Sequence, residues 1–201
     1  LVRHVHTDGS TDRFSYDARG NMVEHIRPDD SVEYYAFDDH DQLIKISDAE
    51  GGQWQRGYDD RGNLVEAIDP LGNKTEYAYN KAGLPIAIKD ANGNEKAIEY
   101  NEAGQLTKYV DCSGKASAWA YDARGQMICF TDAAGQSTEY EYRNGQLVLI
   151  KHPDKTEERF ERDAEGRLLA HVDALAQCTT WSYTAAGFVS ERVDAAEQSL
   201  R

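Results

Sequence analysis

The stretch Lys74-Thr-Glu-Tyr-Ala-Tyr79-Asn80-Lys-Ala-Gly83 decides how the rest of the chain is read. Tyr77 and Tyr79 stand at i and i+2, the spacing that places side chains on one face of an extended strand, while Glu76 and Ala78 point the other way. The Asn-x-x-Gly behind them suits a turn. Asn and Asp hydrogen-bond to nearby backbone, and glycine accepts a positive φ without steric cost. A strand that runs straight into a turn predicts a second strand after it, and a run such as Asn63-Leu-Val-Glu-Ala-Ile-Asp69, following Gly62, has that character.

The same phrase, aromatic-Asp/Asn-x-x-Gly, recurs as Tyr16-Asp17-Ala-Arg-Gly20, Tyr58-Asp59-Asp-Arg-Gly62, Tyr100-Asn101-Glu-Ala-Gly104 and Tyr121-Asp122-Ala-Arg-Gly125. From Tyr58 through Tyr79 and Tyr100 to Tyr121 each step is 21 residues, and Tyr16 to Tyr58 is twice that, with Phe37-Asp38-Asp-His-Asp41 as the altered unit between. Tyr142-Arg143-Asn144-Gly145 keeps the step but is one residue short before its glycine. Asn-Gly is a strong tight-turn signal, so the deletion can be absorbed there. The frame resumes at Arg162-Asp163-Ala-Glu-Gly166 and Tyr183-Thr184-Ala-Ala-Gly187, which makes nine units.

A second turn column of the form Asp-x-x-Gly runs through the other half of each unit, from Asp48 to Gly51, Asp69 to Gly72, Asp90 to Gly93, Asp111 to Gly114 and Asp132 to Gly135. Together with Gly9, the two columns hold 14 of the 16 glycines, and the aromatic column with the position two before it holds 15 of the 20 aromatics, far beyond what two columns in 21 would collect by chance. Proline takes the second turn position at Pro28, Pro70 and Pro153, where its fixed φ fits. An apolar residue stands two after the turn glycine at Met22, Leu43, Leu64, Leu106, Met127, Leu147, Leu168 and Val189, and only Pro85 breaks that column. Each unit therefore reads strand, turn, strand, turn. Two turns in every 21 residues leave segments shorter than the roughly 12–15 residues a marginal helix wants. The expectation is an all-β chain, a repetitive antiparallel hairpin meander of about 18 strands across residues 1–201. Stacked repeats would place tyrosine and tryptophan in a ladder of ring contacts, each worth about 0.5–1.5 kcal/mol beyond burial.

Composition narrows the function. The 22 Lys and Arg against 36 Asp and Glu give a net charge of −14, which disfavours nucleic-acid backbones and anionic membranes. The longest apolar runs, such as Leu147-Val-Leu-Ile150, fall far short of the about 20 residues of a bilayer helix. The first residues, Leu1-Val-Arg-His-Val-His6, lack the pattern of a signal peptide. Cys112, Cys129 and Cys178 have no metal or disulfide spacing and read as small packing residues.

The Tyr-Asp-x-x-Gly-x-Leu phrase with its Asp-Pro-x-Gly partner, at a 21-residue period over the whole chain, resembles the RHS or YD-repeat family. The resemblance implies a broad β-sheet that spirals into a hollow cocoon. In bacterial members the cocoon encloses a C-terminal toxin segment, and many are effectors delivered by type VI secretion or related polymorphic toxins. Animal teneurins carry a similar barrel. The partners implied are the C-terminal toxin cargo of the same polypeptide, neighbouring shell repeats and a secretion-needle adaptor elsewhere in the protein. The location implied is that of a secreted or delivered effector made in a bacterial cytoplasm. The family's cleavage motif contains an Asp-Pro-x-Gly run with a catalytic aspartate, but Asp69-Pro70-Leu71-Gly72 reads as an ordinary repeat turn, so no catalytic residue is carried over. Roughly 18 strands at about 4.8 Å make on the order of 86 Å of sheet, about 27 Å across if closed. A folded domain of 100 residues is about 34 Å across, so the chain is expected to be a segment of a longer wall.

Other chemistry finds little to stand on. Asp29-Asp30 and Asp38-Asp-His-Asp41 offer oxygen ligands for calcium but fall where the repeat places turns, with Asp30 and Asp41 in the glycine slot. Asp90-Ala-Asn-Gly-Asn-Glu95 has its glycine and glutamate too early for an EF-hand. His4-x-His6 shares a strand face without an evident third metal ligand. No metal, cofactor or enzymatic activity is expected. The alternative is an adhesive or carbohydrate-binding surface that uses Trp54 and Tyr109, which lie outside the two main aromatic columns.

Overall fold

The computed structural model describes residues 1–196 and 198–200. All regular structure among them is β-strand, and no helix long and apolar enough to cross a membrane is present. The chain divides into two compact units, residues 1–97 and 98–201. In the first, strands β1 (Val2–Val5), β2 (Thr11–Tyr16), β3 (Met22–Ile26), β4 (Val32–Phe37), β5 (Leu43–Ser47), β6 (Gln53–Tyr58), β7 (Leu64–Ile68), β8 (Lys74–Tyr79) and β9 (Pro85–Lys89) pair in sequence order, all antiparallel. The start of β10 (Glu95–Tyr100) continues the order onto β9. The second unit repeats the pattern through β11 (Leu106–Val110), β12 (Ala116–Tyr121), β13 (Met127–Thr131), β14 (Ser137–Arg143), β15 (Gln146–Lys151), β16 (Glu157–Arg162), β17 (Leu168–Val172), β18 (Cys178–Tyr183), β19 (Val189–Val193) and β20 (Ser199–Leu200). Each unit is the expected meander. The nine repeats supply the 18 strands β2 to β19, and β1 and β20 add one at each end.

Register gives each hairpin two distinct faces. Tyr77 lies opposite Ile88 and Tyr79 opposite Pro85, while Glu76 lies opposite Lys89 and Ala78 opposite Ala87. Cross-strand partners share a face, so in this hairpin one side carries the aromatic columns and their aliphatic partners and the other carries Glu76 and Lys89. Lys74 on that second side bridges Glu66 at 2.6 Å and Glu76 at 2.9 Å. Where the structure gives the pairing of an aromatic-column hairpin, a β-bulge follows the turn. Between the pairs Tyr58–Leu64 and Gly57–Glu66, for example, Val65 has no partner. A bulge bends the strand and increases its twist.

No described residue is fully buried. Among the described residues, strands contact only their neighbours within the sheet, so its stability comes from pairing within the layer and from half-buried side chains.

Candidate functional site

The repeated hairpin is the candidate functional element, and its parts assemble from the turn outward. In the turn after Tyr58, the Gly62 N–H donates to the Asp59 carbonyl and the Asp59 N–H to the Asn63 carbonyl, both at 3.0 Å. Asp59 Oδ1 accepts from the Arg61 and Asn63 backbone N–H groups and Oδ2 from Asn63 Nδ2, each at 2.9 Å. These bonds hold the Asp59 carboxyl below the usual carboxylate range, with the Asn63 side chain as the largest cause. Asp17, Asn80, Asn101 and Asp122 bind their turns through the same two backbone donors, at positions two and four further on. Gly20, Gly62, Gly83, Gly104, Gly125, Gly166 and Gly187 close these turns at φ between 78° and 95°. All 14 glycines of the two columns have positive φ. Asp30 and Asp41 take the same conformation at 63° and 62°, as expected of aspartate in the glycine slot. Lys155 and Ala176 also do so, at 71° and 61°, without a short polar side chain to help.

The one-residue deletion is absorbed as expected. Asn144 at φ 52° and Gly145 at 83° form a two-residue turn, and Tyr142 still meets its apolar partner Leu147. Asp69-Pro70-Leu71-Gly72 has the bonding of its neighbours: the Gly72 N–H donates to the Asp69 carbonyl and the Asp69 N–H to the Asn73 carbonyl.

The aromatic column does something different from the expected ring ladder. Ring contacts among the described residues pair Phe14 with His25, Trp119 with Phe130, Phe160 with His171 and His4 with His6. The column tyrosines instead hydrogen-bond to backbone in the preceding hairpin. The hydroxyls of Tyr58, Tyr79, Tyr121 and Tyr183 donate to the carbonyls of Leu43, Leu64, Leu106 and Leu168 at 2.8–2.9 Å, always 15 residues back. Successive column tyrosines lie two strands apart, about 9.6 Å, beyond the 4.5–7 Å range of ring pairs. A phenol reaches only the strand next to its own, from Tyr79 in β8 to Leu64 in β7. Burial pushes the Tyr79 and Tyr142 phenols up, which favours the protonated form that donates. Tyr100 and Tyr142 are half-buried, whereas Tyr16 is 47% exposed.

A second set of links was not legible in the motif. Gln42 Nε2 donates to the Gly62 carbonyl, Gln105 Nε2 to Gly125, Arg19 to Asp38 and Arg61 to Lys81, each 19 or 20 residues ahead. These bonds stitch the turns that carry them to the next ones. The signal was available as polar residues near the turn glycine, Asn21, Gln42, Asn63, Gln105 and Gln126. Two readings need correction. Cys112 and Cys178 are exposed, so they are not packing residues, and Tyr109 is half-buried because it lies on the aromatic face of β11. Trp54 is 36% exposed beside Tyr35, Ile46, Arg27 and Arg56. Among the described residues no cluster of three His, Cys, Asp or Glu has the geometry to hold a metal.

These features define a single-layer sheet built from interlinked Tyr-Asp hairpins. The Teneurin YD-shell family model matches residues 2–174, and the RHS Repeat model matches residues 162–198. The chain belongs to the YD-shell family of RHS-repeat proteins. Among solved structures, one titled TcdB2-TccC3 is similar at 12% identity and a TM-score of 0.55, over 92% of this chain and 14% of that one. Another, TcdB2-TccC3-Cdc42, is similar at 13% identity and a TM-score of 0.53, over 92% and 13%. At such identities the likeness is one of fold. This chain spans about an eighth to a seventh of their length. No curated protein matches it.

Proposed function

We propose that the chain is a stretch of shell wall that encloses and shields a toxin or effector belonging to the same polypeptide. The observation that carries this reading is a sheet one layer thick in each unit, with the aromatic columns gathered on one face and no described residue fully buried. Membership of a shell family and the likeness in fold to the TcdB2-TccC3 chains support it. The enclosed segment, neighbouring repeats that continue the sheet, a secretion-needle adaptor and delivery as a type VI or polymorphic-toxin effector belong to this proposal. It assigns these residues no chemical step; they are a container.

The test is intact-mass and denaturing-gel analysis of the natural full-length protein purified under native conditions. The expected result is a separate polypeptide that stays with the repeats until denaturant is added. A single uncleaved chain with no protease-protected segment would overturn the reading. The second reading, a carbohydrate-binding surface, is favoured by the exposure of Trp54 beside Tyr35 and two arginines. It expects sugar-dependent quenching of tryptophan fluorescence, and a flat titration against diverse glycans removes it.

A further inference from the structure

Four of the six histidines gather on two carboxylates. His6 Nε2 lies 2.5 Å from Asp12 Oδ2, and His25 Nε2 lies 2.7 Å from Asp12 Oδ1. In the other unit, His152 Nε2 lies 2.9 Å from Glu158 Oε1, and His171 Nε2 lies 2.8 Å from Glu158 Oε2. A phenylalanine stacks on one histidine of each trio, Phe14 on His25 at 4.6 Å and Phe160 on His171 at 4.7 Å. The four residues of the second cluster are each 146 positions after their counterparts, which is seven repeats of 21 less the residue deleted at the Asn144 turn. The same arrangement has been built twice on the same repeat positions.

The sequence shows that the placement is coupled. The second turn of each unit opens with aspartate at Asp48, Asp69, Asp90, Asp111, Asp132, Asp173 and Asp194, and six residues on stand Trp54, Thr75, Lys96, Ser117, Thr138, Thr179 and Leu200, none of them acidic. Where the turn opens instead with a basic residue, at His6, Arg27 and His152, the position six on is acidic: Asp12, Glu33 and Glu158. Each such pair is in contact, Arg27 reaching Glu33 at 2.6 Å. The second histidine of each trio stands in the column filled at the other repeats by His4, Ile46, Ala67, Ile88, Tyr109, Phe130, Ile150 and Arg192.

We propose that the two His–carboxylate–His clasps are proton-operated fasteners, which tighten the strands they join when the histidines take up protons in mildly acidic solution. Each clasp ties the turn after one strand to the next two strands: β1, β2 and β3 in the first unit and β15, β16 and β17 in the second. Histidine ordinarily changes charge near pH 6.5, and a hydrogen bond between ions is about twice as strong as a neutral one. The carboxylates do not change over the same interval. The bond with His25, then that with His6, holds Asp12 below the usual range, and the bond with His171 does the same for Glu158. Their contribution is therefore present above the ordinary carboxylate value and lost only as pH falls through the depressed one. Around the first clasp, Glu33 Oε2 lies 3.4 Å from His25 Nδ1, Glu33 is shared with Arg27 and the Tyr35 hydroxyl, Asp8 acts on His6, and the His4 ring meets His6 edge-on. Around the second, Asp154 acts on His152, and Glu139, Glu157, Lys151 and Lys155 line the hollow beside it, while Thr179 faces His171.

Urea unfolding of the full-length protein at pH 7.5 and 5.5, with and without the double change His25→Gln and His171→Gln, tests the proposal. Glutamine keeps a donor but cannot be protonated. The wild-type midpoint should rise relative to the variant by about 0.5 M or more on acidification. Midpoints that move in parallel overturn it. Proton NMR of the wild type gives a second reading if the variant does not fold. At pH 5.5, solvent-protected, downfield ring N–H signals are expected from His6, His25, His152 and His171 and not from His40. Their absence would equally sink the idea.

Discussion

At the scale of the residue, backbone conformation outweighs side-chain identity in the turns. Ala176 occupies a glycine slot at φ 61°, a region that costs an L-residue about 1–2 kcal/mol. Ala176→Gly should therefore stabilise the chain by about 1 kcal/mol, read as a higher urea midpoint. The reverse change at Gly62 meets two obstacles. Its φ is 85°, and an added Cβ would come within 3.0 Å of Gln42 Nε2, the atom that donates to the Gly62 carbonyl. Gly62→Ala should cost more than the same change at Gly72, where nothing lies within 4 Å, and chemical denaturation of the two variants side by side measures the difference. Tyr79→Phe removes one hydroxyl bond to Leu64 and keeps the ring, for an expected loss of about 1 kcal/mol. Tyr79→Ala should cost about 2 kcal/mol, short of the about 3–5 of a fully buried ring, because Tyr79 is only half-buried.

At the scale of the element, the hairpin and its period were legible because strand, turn and deletion each leave a local mark: aromatics at i and i+2, Asp-x-x-Gly, and Asn144-Gly145. What links one hairpin to the next was not legible. The bond from Tyr79 to Leu64 and the stitch from Gln105 to Gly125 join residues 15 and 20 apart, and nothing local distinguishes a tyrosine that stacks from one that donates. The left-handed turns at Lys155 and Ala176 were hidden because the usual glycine is missing. The turn carboxylates also set a pH dependence. Asp17, Asp59, Asp69 and Asp90 are all held below the usual range, with an asparagine four residues on as the largest cause in each case. A depressed folded value means that the stabilisation is present above about pH 4 and disappears as pH falls through it. Asp59→Asn should accordingly lower the unfolding midpoint at pH 7, and the difference from the wild type should shrink as pH falls below about 4, as followed by circular dichroism.

At the scale of the whole molecule, stability is distributed along the chain, because no described residue lies in a closed core. Repeat arrays of this kind behave as sums of unit and neighbour terms. Excising residues 64–84, one full period, should leave the β-sheet circular dichroism per residue unchanged and shift the midpoint only modestly. Excising 20 residues within the strands should not be tolerated, since a slip of one exchanges the aromatic and charged faces. The sequence overstated the core: 15 of 20 aromatics in two columns suggested a stacked interior, whereas strand spacing lets each tyrosine reach only its neighbour's backbone.

The Asn144-Gly145 turn works as an expansion joint. A residue is missing there, yet Tyr142 still faces Leu147 and the next repeat resumes in phase. Length changes confined to a turn tip thus leave both faces of the layer as they were. The tip at 143–146 is consequently the place to splice in an epitope or a cysteine for a fluorophore, so that a reporter could be carried without disturbing the weave.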